Sequence, residues 1–151
     1  MRVVAQRVAA GSVSWEGITA TIGMGFVLLV GAAGDDDEVE VRRLADKIID
    51  LRVFADEAGK MNLSLVDVHG AALIVSQFTL FADMSRGRRP SLLKAGDPAG
   101  AEQLYEAFVD QFRQRGIDTK TGRFGAVMRV DIANDGPVTL VLSTDEWATR
   151  V

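Results

Sequence analysis

Asn134-Asp135-Gly136-Pro137-Val138-Thr139 lies near the C-terminal end of the chain, between two runs with strand character, Ala126 to Ile132 and Val138 to Ser143. Proline removes a ladder donor and fixes φ, so a sheet accepts Pro137 only at an edge or at a break. An X-Pro bond also reaches the cis form at modest cost, which makes Gly136-Pro137 variable in a second way. Two readings stay open at this point. In the first, Asn134-Asp135-Gly136 opens a hairpin turn that joins two neighbouring strands. In the second, the stretch is a rigid piece of backbone that aims two carbonyls at a ligand.

Upstream of this stretch the pattern is legible in order. Arg2 to Trp15 alternates loosely and reads as one long strand whose phase slips near Gly11, where a bulge fits. Glu16-Gly17 is a hairpin turn into a second strand, Ile18 to Ile22. Phe26 to Val30 is apolar on both faces and predicts a central strand. Gly23 and Gly25 precede a strand rather than a helix, so they are no nucleotide fingerprint. Asp35 to Leu51 predicts a helix with Val41, Leu44, Ala45, Ile48 and Ile49 on one stripe, Asp35 as its cap and Glu38 three residues on. The run Asp35 to Glu38 is read as a helix start favoured by the dipole, not as a metal site.

Arg52 to Phe54 is short and extended, Asp56 to Gly59 is a turn, and His69-Gly70 is another. Ala71 to Val75 is a second buried strand that runs into the polar group Ser76-Gln77-Phe78-Thr79. The end of a buried strand is where open sheets place ligand contacts. Ser85-Arg86-Gly87-Arg88-Arg89-Pro90 is a basic loop, and Asp97-Pro98 caps a second helix whose core stripe is Ala101, Leu104, Tyr105, Phe108 and Phe112, stopped by Gly116. Thr121 to Phe124 leads into the last strands, and Asp145 to Val151 reads as a short tail. Three strands, a helix, a strand, a helix and two strands make a mixed α/β single domain spanning residues 1–151, with two helices.

Composition narrows the function. With 48% hydrophobic and 25% charged residues the balance is that of a globular domain. A net charge of −4 argues against a nucleic-acid-coated protein and leaves room for a local basic patch on one RNA end. The absence of cysteine removes disulfides, thiolate metal sites and a thiol nucleophile. The first apolar run carries Arg2, Gln6 and Arg7 and is no signal peptide, and the longest apolar stretch, Ile22 to Ala33, is glycine-interrupted and too short to span a bilayer. The expectation is a cytoplasmic protein with no membrane partner.

Most catalytic machinery is missing from the composition. His69 is the only histidine and lies in a turn, so a Ser-His-Asp triad has no natural base. No His or Cys set has metal-ligand spacing, and neither a metal nor a cofactor is expected. Asp56, Glu57 and Asp67 lie in or near turns with no apolar packing to raise a pKa, a poor setting for paired-carboxylate chemistry. Ser76 and Thr79 are the best-placed hydroxyls, and the amides of Phe78 and Thr79 form an oxyanion hole if the chain turns there. The three arginines of the basic loop suit an RNA backbone or a plain solvated surface.

Ser76-Gln77-Phe78-Thr79 together with the Asn134 to Thr139 stretch resembles the two signature motifs of the D-aminoacyl-tRNA deacylases. Gln6-Arg7-Val8, Gly59 to Leu63, Arg89-Pro90-Ser91 and Thr121 to Phe124 extend the likeness, in order, over almost the full length. The resemblance implies a partly closed, barrel-like β/β/α layered fold of mixed sheets. It implies a homodimeric hydrolase acting on the ester between a D-amino acid and tRNA, and on glycine mischarged on tRNA-Ala. By resemblance Gly136-Pro137 is cis, enters the partner's site and rejects L-residues, with Val138 and Thr139 beside it and Arg7 as its brace. Ser76, Gln77, Phe78 and Thr79 then line the ester, and Met128 packs near the 3′-terminal adenosine. Thr79 acts as nucleophile or the terminal ribose 2′-OH assists instead, and the missing base favours the latter. A non-catalytic binder of acceptor ends and an editor of mischarged L-aminoacyl-tRNA are the alternatives. Leu92, Leu140 and Gly125-Ala126-Val127 depart from the usual pattern, leave both motifs intact and affect the adenosine pocket.

Overall fold

A computed structural model describes residues 1–145 and the backbone of 149–150. The element that organises it is β1, Arg2–Trp15. Its C-terminal half forms a hairpin with β2, Ile18–Ile22, while its N-terminal half pairs antiparallel with β3, Gly25–Gly31. Helix α1, Glu38–Ile49, follows, then the short pair β4, Phe54–Ala55, and β5, Met61–Leu63. Strand β6, Ala71–Ser76, runs parallel to β3 and passes into a 3₁₀ turn over Phe78–Phe81. Helix α2, Pro98–Gln114, leads to β7, Thr119–Thr121, parallel to β6. The chain closes with β8, Arg129–Ser143, antiparallel to β1, and β9, Thr149–Arg150, parallel to the end of β8.

The main sheet has the order β7-β6-β3-β1-β8-β9, with β2 paired off β1. Strand alternation divides its side chains into two cores. Phe26 and Leu28, Ala72 and Ile74, Val3 and Ala5 face the helices, where they meet Val41, Leu44, Ile48, Phe108 and Phe112. Val27, Leu73 and Val75 point the other way and pack with Val8, Val13 and Ile22. This second core exists because β2 folds back against β6 and β7. The sheet is thus curled into a nearly closed barrel with the helices on its outside, the mixed α/β arrangement expected from the sequence.

Four expectations are corrected by the structure. The largest concerns the opening stretch, which is not a hairpin turn: both flanks pair with β1, Asn134 opposite Val8 and Thr139 opposite Gln6, and belong to one continuous strand. Residues 135–138 are an excursion out of that strand, because two separate partners on β1 hold its two sides in line. The phase slip of β1 is at Ala9 rather than Gly11, since Val8 and Ala10 face the adjacent Asn134 and Ala133. One extra residue flips the alternation, so that Val8 and Val13 share the inner face. Gly11 is small for a different reason: a Cβ there would lie 2.6 Å from Cγ2 of Val27.

The cap of α1 is Asp37, whose carboxylate accepts from the Glu40 amide at 2.7 Å, and not Asp35. Asp36 is drawn away to the Met1 amine, the Thr144 hydroxyl and the Ala33 amide. The fourth correction is to the strand count, because β4, β5, β7 and β9 were not expected. Within the supposed tail β9 is a strand, whereas Glu146, Trp147, Ala148 and Val151 lie outside the described residues. The cap Asp97 and the stop at Gly116, with φ of 75°, stand as read.

Candidate active site

The excursion in β8 is latched from three sides. Asn134 spans its mouth: its side-chain oxygen accepts from the Val138 amide at 2.9 Å, and its side-chain nitrogen donates to the Val138 carbonyl at 3.3 Å and the Thr139 hydroxyl at 3.1 Å. Gln6 on β1 donates to the same hydroxyl at 3.2 Å. Arg7 is next on β1, at the point where β8 has left the ladder. Its guanidinium donates to the Asp135 carbonyl at 3.1 Å and to the Val53 carbonyl, and it pairs with the Asp135 carboxylate at 3.2 Å. Arg7 therefore ties the excursion to the segment before β4. Beyond these latches Asp135, Gly136 and Pro137 are exposed, and the Gly136-Pro137 peptide is cis.

The local role of Asn134 was hidden in a stretch that reads as turn chemistry, yet the amide bridges position i to i+4 instead of opening a β-turn. Asn134→Ala removes three hydrogen bonds around a half-buried amide, and about 1–3 kcal/mol of local stability with them. Faster amide exchange at Val138 and Thr139, with a fall in Tm of only a few degrees, is the expected reading in a hydrogen-exchange experiment.

The second motif is at the carboxyl end of the parallel pair β3 and β6. Ser76 faces Val30, the Gln77 amide donates to the Val30 carbonyl at 2.7 Å, and the chain then turns through the 3₁₀ segment. Leu80 closes that turn on the Gln77 carbonyl at 3.3 Å. The amides of Phe78 and Thr79 are the first two of the turn, which 3₁₀ geometry leaves without an internal acceptor. The Gln77 side-chain amide donates to the Thr79 hydroxyl. Phe78 stands 57% exposed.

Gly31, Ser76, Gln77, Phe78, Tyr105 and Phe124 line a mostly apolar cavity of about 240 Å³, walled on one side by Ala95 and Gly96. Its floor is chemically quiet. The Tyr105 hydroxyl donates to the Ile74 carbonyl at 2.8 Å, and burial raises its pKa far above the ordinary phenol value. Phe124 leans against the same ring at 5.9 Å between centroids. Neither aromatic was a candidate from the sequence, because at helical spacing Tyr105 reads only as core.

Among the described residues, no acid–base pair stands beside these groups. His69 sits in the turn before β6, at φ of 50°, at the opposite end of that strand from Ser76. Asp56 is held below the usual carboxylate range chiefly by the Lys60 amide, and Asp67 by the amide and hydroxyl of Ser64. Both are ionised at neutral pH and poor general acids.

The two motifs do not meet within one chain. Ser76 is level with Val30 of β3, while the excursion is level with Gly25 to Val27. They stand about four residues apart along the strand direction and three strands apart across the sheet, a path on the order of 20 Å when measured along the sheet surface. Arg7, Gly136, Pro137, Val138 and Thr139 form one group, and Ser76, Gln77, Phe78 and Thr79 form another. Met128 joins neither: it packs beside Val13 and over Gly122, at the rim of the inner core.

Comparison with known proteins places the chain in a family. The family model described as D-Tyr-tRNA(Tyr) deacylase matches residues 4–143. A D-aminoacyl-tRNA deacylase of Bifidobacterium adolescentis is 51% identical over 97% of this chain and 98% of its own. A protein of the same name from Exiguobacterium sibiricum is 55% identical over 94% and 99%. The solved structure of the c-Myc DNA Unwinding Element Binding Protein superposes with a TM-score of 0.89 at 39% identity, covering 96% of this chain and 99% of that one. A probable eukaryotic D-amino acid tRNA deacylase, at 17% identity and a TM-score of 0.83, shares the fold. These matches put the protein in the class of hydrolases that cleave an ester, the deacylases. More particularly, the chain belongs to the D-Tyr-tRNA(Tyr) deacylase family. Among the described residues, no helix is long and apolar enough to cross a membrane.

Proposed function

We infer that the protein hydrolyses the ester of D-aminoacyl-tRNA in the cytoplasm, working as a homodimer in which each protomer's Gly136-Pro137 enters the other's pocket. The observation that carries this reading is the register of the main sheet, which sets the two motifs three strands apart and at different levels, with the tip of the excursion exposed and its base latched. A latched, exposed backbone tip fits a task done elsewhere than in its own cavity. In the partner's pocket, its carbonyls would accept from the substrate's α-amino group and leave no room for an L side chain. Glycine has no side chain to exclude, so glycyl-tRNA mischarged on tRNA-Ala would also be a substrate.

Specificity then rests on backbone position and not on side-chain chemistry. The amides of Phe78 and Thr79 would receive the ester carbonyl as it gains negative charge. Gln77 would orient the Thr79 hydroxyl, which has no base to activate it, so the substrate's own 2′-OH is the group that assists hydrolysis. Arg7 and Asn134 hold the filter rigid, and Met128 would come near the terminal adenosine only from the rim.

Purified protein incubated with D-Tyr-tRNA and L-Tyr-tRNA tests the reading. Hydrolysis of the D-ester at least about a hundredfold faster than the L-ester is expected, the discrimination that misplacing the reacting group by about 1 Å produces. Equal rates on both esters would overturn it. Tight binding of the D-ester without release of amino acid would make the protein a binder of acceptor ends instead.

A further inference from the structure

The loop that joins the 3₁₀ turn to the cavity wall carries a charge cluster that the proposed reaction leaves unused. The chain leaves the 3₁₀ turn at Ala82 and is pinched where Asp83 and Ser91 exchange backbone hydrogen bonds of 2.8 and 2.9 Å. It comes back to the cavity wall at Ala95 and Gly96. Residues 84–94 between these points include Arg86, Arg88, Arg89 and Lys94 and no acidic residue, and all four cations are exposed.

Most described arginines elsewhere in this chain find carboxylates, Arg43 and Arg52 being the exceptions. Arg42 pairs with Glu38, Arg113 with Asp110, Arg115 with Asp46 and Asp50, and Arg123 with Glu16. Among the described residues, no carboxylate oxygen lies within 4.0 Å of the Arg86, Arg88 or Arg89 guanidinium. The nearest acid in sequence, Asp83, spends its carboxylate on the Ser85 amide at 2.9 Å and lies in the field of Lys94. Three guanidinium groups within four residues repel one another, and in a chain of net charge −4 they stand out as a local cationic site. In the same loop Met84 and Leu93 are 63% and 94% exposed, and Phe78 at the cavity is 57% exposed, an aromatic face of the kind on which an unpaired base stacks.

We propose that the Arg86 to Arg89 loop binds the phosphodiester backbone of the RNA strand that leads to the pocket, through its three guanidinium groups and irrespective of base sequence. The identity of the polyanion as RNA rests on the deacylase reading. The four cations are concentrated, without an acid among them, in one short loop that ends at the cavity wall, in a chain whose net charge is −4. A ligand that threads from the loop into the cavity fits this distribution better than a broad anionic surface does. Guanidinium forks suit phosphate oxygens and carry no base information.

The test compares wild type with R86Q/R88Q/R89Q on two substrates, full-length D-Tyr-tRNA and the D-Tyr ester of adenosine, which has no phosphodiester backbone. The substitutions lie in an exposed loop, and an unchanged Tm verifies the fold. On D-Tyr-tRNA at about 0.1 M salt, kcat/KM falls at least about tenfold and the fall lies in KM; the slope of log(kcat/KM) against log[salt] flattens by roughly 2, at about 0.7 per lost phosphate contact. The adenosine ester is cleaved at the wild-type rate. R86K/R88K/R89K keeps most of the tRNA activity, because a point charge still meets phosphate. Unchanged kcat/KM on D-Tyr-tRNA, or an equal loss on both substrates, would overturn the proposal, the second outcome meaning that the loop shapes the cavity. Fluorescence anisotropy with uncharged tRNA decides the point independently of turnover. If wild type hydrolyses neither ester, the deacylase reading fails, yet tenfold weaker tRNA binding by the glutamine variant still supports the loop and equal binding refutes it.

Discussion

A Gly136→Ala variant loses at least about a hundredfold in kcat/KM on D-Tyr-tRNA while keeping its fold. A Cβ on Gly136 would sit 2.9 Å from an Arg7 terminal nitrogen, 2.8 Å from Cγ2 of Val138 and 3.0 Å from the Val138 amide nitrogen. The φ of 127° is also one that an L side chain resists. The guanidinium can move aside only by giving up the carbonyls of Val53 and Asp135 and the Asp135 carboxylate. The Val138 amide cannot move without opening the Asn134 latch. So the excursion shifts, and a shift of about 1 Å at a positioning element costs on the order of 10² in rate. Stability falls by only about 1–3 kcal/mol, because the tip is exposed and touches neither core.

Loss on the D-ester is to be accompanied by a narrower ratio of D to L rates, measured on the two tyrosyl-tRNAs. A wild-type ratio in the variant would show that Gly136 is not part of the filter. Mixing adds a second readout. Ala101→Phe fills the cavity and spares the excursion. Refolding it with Gly136→Ala gives mixed dimers that hold one intact pocket served by one intact loop, and about a quarter of wild-type activity returns if the loop acts across the interface. No recovery would confine the loop to its own chain.

The failure of the hairpin reading of Asn134 to Thr139 shows where local sequence stops being sufficient. Asn-Asp-Gly-Pro has the chemistry of a tight turn, and each flank has the alternation of a strand, so a hairpin is the local solution. What overrides it is β1, more than a hundred residues away in sequence, which offers both flanks a continuous antiparallel edge. The same strand explains why Arg7 was visible only as a motif residue: its partners are carbonyls at positions 53 and 135, brought together by the sheet.

Elements with their own period were legible. Strands β3 and β6 are apolar runs, α1 and α2 are amphipathic, and the stripe of α1 is buried as read; on α2 Tyr105, Phe108 and Phe112 are buried, Ala101 and Leu104 are half-buried, and Val109 joins the core unread. By contrast β7 is Thr119-Lys120-Thr121, with no apolar alternation, and is a strand only because the edge of β6 accepts it. Three consecutive aspartates, Asp35 to Asp37, each competent to cap α1, left the choice to tertiary structure, where Asp36 is claimed by the Met1 amine. The pocket motif was placed correctly at the end of β6 because a polar group after a buried run has few other uses. Its aromatic floor was not, since the burial of Tyr105 against Ile74 depends on where α2 crosses the sheet.

Replacing the terminal ribose of D-Tyr-tRNA by 2′-deoxyribose lowers hydrolysis at least about a hundredfold, whereas Thr79→Ala lowers it by no more than about tenfold. The contrast follows from what surrounds the hydroxyl. Thr79 accepts a hydrogen bond from the Gln77 side-chain amide, a group that cannot take up a proton. The only histidine is at the far end of β6, and the Asp56 and Asp67 carboxylates are tied to their own turns. A threonine hydroxyl without a base is a weak nucleophile, and a positioned base is worth 10²–10⁴ in rate. The 2′-OH is adjacent to the ester by covalent structure, so its proximity needs nothing from the protein, and the amides of Phe78 and Thr79 remain in place whatever the side chain at 79. Single-turnover rates on the two substrates with the two proteins separate the mechanisms. Complete loss in a folded Thr79→Ala, with the 2′-deoxy substrate still cleaved by wild type, would restore Thr79 as the nucleophile. Retention by Thr79→Ala with loss on the 2′-deoxy substrate would leave the protein supplying amides, an apolar pocket and a filter, and the RNA supplying the reacting hydroxyl.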